Sequence, residues 1–380
     1  MMMKLGRKFF FSFLVLMLTS CKSEAEKITE RNAVIDSTIV GFQKKLLGTQ
    51  LDSIFSQNQF NASVSIVQNG EKIYEKENGY EDFQTKSKLD STSVFAIASI
   101  SKQFTAVLIL LQQEQGKLNV NDRVSKYLTD FQKPNFDKVT IHQLLNHTSG
   151  LNDFGESLQF ESGTDYSYSN KGYHYLGEIV AKVSGKSYDQ NVTELFAKAG
   201  MTHSFTAGLF QGNDFAAANT GSLNNFQKVE NMPKRLAEKT ISTPAGGILS
   251  TVNDLHKWNE ALYNDKILKP ETLSLFEKNY VTREHYVLGN VGYGYGIMMN
   301  EATPEAYFHT GYVKGATSLL IYYPETKTSV VILSNFANES KGKESIFVPH
   351  RRIKDITDAV ENTVIELRKE MIIVPLSSKD

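Results

Sequence analysis

The chain has 380 residues, 41% of them apolar and 22% charged, which suits a globular protein built as one large domain or two ordinary ones. A formal net charge of −1, with no basic run or stripe, argues against nucleic acid or an anionic lipid surface as a partner. Cys21 is the only cysteine, so a mature chain starting there has no thiol for an internal disulfide, a Cys nucleophile or a Cys-based metal site.

The N-terminus reads as a targeting segment. Lys4, Arg7 and Lys8 precede an apolar run from Phe9 to Leu18 that is too short to span a bilayer and fits the apolar core of a signal peptide. Leu18-Thr19-Ser20-Cys21 resembles the bacterial lipobox, whose cysteine is acylated and becomes the mature N-terminus. The expected organisation is therefore a signal peptide at 1–20, a polar tether at 21–29 and one catalytic domain over 30–370, exported and lipid-anchored, facing the periplasm or the exterior.

Apolar residues at helical spacing predict a helix from Glu30 to Leu47. Ala62–Gln68 and Lys72–Tyr74 flank Asn69-Gly70, a strong hairpin signal. A long apolar helix follows from Ser101 to about Gln115, closed by Gly116. Further helices are expected at 140–145, 170–184, 187–198 and 252–263, and strands at Tyr293–Met299, Ala306–His309, Thr317–Tyr323 and Ser329–Leu333. An amphipathic helix spans about Arg352 to Lys369, while Ile372-Ile373-Val374 has no evident place. Strands at both ends with helices between predict an α/β fold, one antiparallel sheet assembled from both termini around a mostly helical insertion.

Ser99-Ile100-Ser101-Lys102 sits where the long helix starts, and a spacing of three puts Ser99 and Lys102 on one face. A serine hydroxyl needs a neighbouring base, and a lysine serves only if burial or a nearby cation keeps it neutral. Ser340 and Lys343 repeat that spacing by chance. Tyr168-Ser169-Asn170 is the only Tyr-x-Asn, and His309-Thr310-Gly311 the only His-x-Gly.

In this order the three motifs resemble those of the serine β-lactamase/D,D-peptidase superfamily, in particular its class C-like branch. The flanks at 95–106, 144–151, 160–177 and 245–251 are similar too, so the likeness runs from about residue 50 to 345. It implies Ser99 as nucleophile, Lys102 as its proton acceptor, and Tyr168, with a lowered pKa, as a shuttle to the leaving group. Asn170 would bond the substrate or Lys102. His309, Thr310 and Gly311 would flank the substrate, and the backbone N–H groups of Ser99 and Tyr312 would form the oxyanion hole. Which of Lys102 and Tyr168 is the base stays open.

The family's β-lactamases usually carry Lys-Thr-Gly where this chain has His309. A histidine of ordinary pKa is mostly neutral at pH 7 and attracts a substrate carboxylate less. Ester hydrolysis with poor β-lactam turnover is the expectation, on an ester or a peptide amide, as in esterases and D-amino-acid peptidases. The alternatives are a true class C-type β-lactamase and a non-catalytic, penicillin-binding receptor. His142 and His147 lack a third metal ligand and read as loop histidines; neither metal nor cofactor is expected. The aromatic stretch Tyr286–Tyr295 could line an acyl pocket or be plain strand.

Overall fold

The computed structural model describes residues 22–58, 60–222, 225–237, 242–339 and 342–373. The signal-peptide segment, Cys21, Ser340 and Val374 lie outside the described residues.

The first helix, α1, runs Glu24–Asn58 and so takes in residues expected as a tether. Lys27 pairs with Glu24 one turn earlier, and Arg31 and Asn32 bond the backbone of Met371 and Ile373. These long-range bonds tie Ile373, one of the residues that had no evident place, to α1. The hairpin follows as β1 (Ala62–Gln68) and β2 (Glu71–Asn78), its turn held by Asn69 and Gly70 at φ 49° and 78°. Both turn residues at positive φ match a strand-compatible turn.

Six more strands come late: β3 (Val281–His285), β4 (Gly289–Tyr293), β5 (Met298–Asn300), β6 (Ala306–Val313), β7 (Ala316–Tyr323) and β8 (Thr328–Ser334). They form one antiparallel sheet in the order β3-β4-β5-β6-β7-β8-β1-β2, closed by β8 against β1, so both ends of the chain build it. Tyr293–Met299, expected as one strand, is broken instead. Gly296 sits there at φ 72°, where a Cβ would lie 2.7 Å from the Lys102 carbonyl oxygen, so the chain must turn tightly against the helix that begins at Ser101.

The sheet is buried on both faces. On β7 and β8, Leu319, Ile321, Val330 and Ile332 face α1 and the last helix, Val348–Met371, while Leu320, Val331 and Leu333 face the helical region. This alternation reads as a continuous apolar run in sequence because neither side meets water. Each such side chain contributes roughly 1.5–3 kcal/mol of burial.

The long helix is α2, Ser101–Glu114, entered through a tight turn over Ala98–Ile100. Trp258, on the helix Val252–Tyr263, stacks on Phe104 with ring centroids 4.0 Å apart and donates from Nε1 to Gln103. That contact locks α2 against its neighbour. Helix Asn170–Ser184 starts at Ser169, whose hydroxyl accepts from Gly172 N–H, and stops at Gly185 in the left-handed region.

Candidate active site

Ser99 lies in the turn before α2, directly after Ala98, a non-glycine residue at φ 49°. A strained residue beside a reactive serine is a common way of aiming a side chain outward. Lys102 follows one turn later and is fully buried. Its Nζ lies 3.2 Å from Ser99 Oγ, 2.8 Å from Asn170 Oδ1 and 2.7 Å from the Ala245 carbonyl oxygen. The last two atoms only accept. A neutral amine has two N–H bonds and one lone pair, so its protons go to Asn170 and Ala245 and its lone pair faces the serine hydroxyl. Burial lowers the Lys102 pKa to about 7, opposed by the Asp153 carboxylate. Such an amine can accept a proton from Ser99 near neutral pH.

Tyr168 stands across from this pair, its ring centroid 4.8 Å from Lys102 Nζ and its hydroxyl on the Ser99 side of the cleft. The expected lowering of its pKa does not hold. Burial pushes the phenol above its ordinary value, and the nearby Ser99 hydroxyl only partly offsets that. Tyr168 therefore keeps its proton at neutral pH and can donate one, while Lys102 can accept one.

Asn170 is held from behind by Asp153, an acidic residue the sequence reading passed over. Asp153 accepts from Asn170 Nδ2 at 3.2 Å, from the Asn170 and Lys171 backbone N–H groups at 3.0 Å each, and from Ser169 Oγ at 2.7 Å. It completes the start of that helix, where an anion is favoured, and points Asn170 Oδ1 at Lys102.

The third motif lies on β6. Strand β5 ends its pairing at Met298 opposite Phe308, so His309–Val313 have no strand on that side and border the cleft. Gly311 is obligatory: a Cβ there would lie 2.3 Å from the Ile97 carbonyl oxygen and 2.2 Å from Ser318 Oγ. Its bareness lets β6 lie against the Ser99 turn. Tyr312 turns its hydroxyl to Glu339 Oε1 at 2.8 Å, and Thr310 is buried at the cleft edge. His309 is buried, and burial, aided by Arg283 and by the charge Lys102 carries when protonated, keeps it well below the ordinary histidine pKa against the opposing bond to the Thr310 carbonyl.

These residues surround a cleft of about 530 Å³ that also includes Arg283 and Tyr286. Of the aromatic stretch 286–295, Tyr286 reaches this cleft, while Tyr293 and Tyr295 are buried core residues. Arg283, on β3, was not foreseen. Its guanidinium lies 5.1 Å from the Tyr166 ring centroid, and its Nε is buried without a hydrogen-bond partner. Among the described residues no carboxylate forms an ion pair with it. His142 bonds Tyr295 and Asn146, His147 bonds Tyr293 and Ser169, and their four nitrogens are thereby engaged. Among the described residues no three potential metal ligands cluster.

A family model described as Beta-lactamase matches residues 36–347. Penicillin-binding protein 4* of Bacillus subtilis (strain 168) is 28% identical over 342 residues, which cover 80% of this chain and 74% of that protein. Protein flp of Staphylococcus aureus is also 28% identical, over 73% of this chain but only 60% of its own length. Among solved structures, a D-amino acid amidase from Ochrobactrum anthropi SV3 superposes with a TM-score of 0.71 at 20% identity, over 83% of this chain and 99% of that one. At that identity the likeness is one of fold.

Proposed function

The chain belongs to the β-lactamase family, and from that premise we propose that it is a serine hydrolase cleaving an ester or a peptide amide through an acyl-enzyme on Ser99. The observation that carries this reading is the position of Lys102 Nζ, 3.2 Å from Ser99 Oγ and bonded to two acceptor-only oxygens, so that the neutral amine turns its lone pair to the serine. Lys102 takes the serine proton as Oγ bonds the substrate carbonyl carbon. The carbonyl oxygen, now negative, is held by the backbone N–H groups of Ser99 and Tyr312, a contribution worth several kcal/mol of barrier. The leaving group departs with a proton from Tyr168, which Lys102 replenishes. Water then releases the acyl group by the same steps reversed.

Arg283 gives this reading a substrate preference. His309 is neutral, so the cations lining the cleft are the Arg283 guanidinium on β3 and the exposed Lys314 just after β6, and a substrate with a carboxylate reaching Arg283 is favoured. A neutral third motif still weakens the hold on a β-lactam carboxylate next to β6. Steady-state rates on an aryl ester and a chromogenic cephalosporin test the assignment. Faster ester turnover supports it, rapid cephalosporin turnover favours a true β-lactamase, and stable labelling without turnover of either favours a receptor.

We further propose that the protein is exported and anchored through a lipid on Cys21, facing the periplasm or the exterior. The basic-then-apolar N-terminus ending in Leu-Thr-Ser-Cys supports this. Metabolic labelling with a radioactive fatty acid should mark the wild-type chain and spare Cys21→Ala.

A further inference from the structure

Three buried side chains behind the cleft form a hydrogen-bonded line that the chemistry above does not use. His147 Nε2 lies 3.0 Å from Tyr293 Oη, and Tyr293 Oη lies 3.1 Å from His309 Nε2. Backbone groups close both ends. Ser169 N–H points at His147 Nδ1 from 3.2 Å, and His309 Nδ1 lies 2.6 Å from the Thr310 carbonyl oxygen.

The end groups fix every proton between them. A backbone N–H can only donate, so His147 Nδ1 must carry a lone pair and, in the neutral ring, Nε2 must carry the proton. A backbone carbonyl can only accept, so His309 must carry its proton on Nδ1 and a lone pair on Nε2. Tyr293 then accepts from His147 and donates to His309. Its single proton suffices, and Tyr173 does not compete as a donor, because its own hydroxyl donates to the Leu145 carbonyl at 2.7 Å. Both imidazoles are fully buried, which disfavours their charged forms and keeps the line intact.

We propose that His147, Tyr293 and His309 form a one-directional strut that positions Tyr168 and the strand bearing Tyr312 relative to each other, with the two histidines held in opposite neutral tautomers. One end is anchored at Ser169, the neighbour of Tyr168, and the His147 ring lies under the Tyr168 ring with centroids 4.3 Å apart. The other end is anchored at Thr310 on β6. The strut thus spans the gap between the phenol and the oxyanion strand, and none of its members touches the reacting atoms. It also removes His309 Nε2 as a donor to substrate. The groups facing His309 are Lys102 from α2, Arg283 and His285 from β3, Tyr293 from β4 and Tyr168 from the opposite wall. A proton gained by His309 would lower the Lys102 pKa further and break the bond from Tyr293, so the strut also keeps the basicity of Lys102 constant.

This inference rests on the reading of Ser99 as nucleophile for its purpose, but its central measurement does not. Two-bond proton–nitrogen spectra of the full chain labelled with ¹⁵N-histidine, assigned with His147→Gln and His309→Asn, report tautomers directly. The expected result is an Nε2–H ring for His147 and an Nδ1–H ring for His309, both constant from about pH 5.5 to 8. Ser99→Ala should keep this pattern while losing hydrolysis, which separates failure of the strut from failure of the catalytic reading. Identical tautomers, or a His309 that titrates near the ordinary value of about 6.5, would overturn the proposal. In Tyr293→Phe, His309 should begin to titrate and the rate profile should gain a second acid-side ionisation. There kcat should fall about tenfold while KM for a neutral aryl ester moves less than about twofold. A uniform loss of activity without the new ionisation would also contradict it.

Discussion

Asp153 accepts a hydrogen bond from Asn170 Nδ2 at 3.2 Å, and that one contact decides which end of the Asn170 amide faces Lys102. Replacing Asp153 with Asn removes the anion that raises the Lys102 pKa while keeping the side chain's shape. The acid limb of the rate profile should shift to lower pH. The rate maximum should fall about ten- to a hundredfold, the scale of a lost charge-assisted bond. An unmoved acid limb would show that Asp153 does not reach the base.

Lys102 becomes neutral as pH rises through about 7, because burial disfavours its charge. Below that point the ammonium has no lone pair for Ser99, so kcat/KM should fall about tenfold per pH unit. Lys102→Arg, which stays charged at any working pH, should lose on the order of a thousandfold or more. Stopped assays across pH 5 to 9 on wild type and variant would check both.

Arg283→Ala should raise KM for an acyl substrate carrying a carboxylate by about tenfold and change a neutral ester by less than about twofold. Equal effects on the two substrates would make Arg283 a packing residue against Tyr166.

Glu361, on the last helix, is buried with Gln43 donating to Oε1 at 3.0 Å and Thr326 donating to Oε2. Burial raises its pKa from 4.5 to about 7. The folded protein thus binds a proton that the unfolded chain releases between those values. The resulting stability is full below about pH 4.5 and is lost as pH rises to about 7. Glu361→Gln should stabilise the protein at pH 8 by on the order of 2 kcal/mol and much less at pH 5. Thermal melts at the two values give the comparison.

Local signals were legible in the sequence. Asn69-Gly70 sets its turn by itself, and Ser169 and Gly185 bound their helix through contacts within a few residues. The Ser99–Lys102 spacing was readable for the same reason, since one helical turn brings the two together. Asp153, Arg283 and Tyr293 were not, because each acquires its role only when distant segments meet: β3 and β4 reach the cleft through sheet order. The length of α1 was misjudged because residues 24–29 look solvated alone, while Arg31 and Asn32, one turn further on, bond the far end of the chain. The Tyr168 pKa was misjudged because burial is a tertiary property.

The most direct test is intact-mass and peptide-mapping spectrometry of the protein treated with a fluorophosphonate and, separately, quenched during ester turnover. A single adduct on Ser99 is expected, forming with a pH dependence centred near 7 and absent from Ser99→Ala. An adduct on another residue, or ester turnover undiminished in Ser99→Ala, would contradict the account.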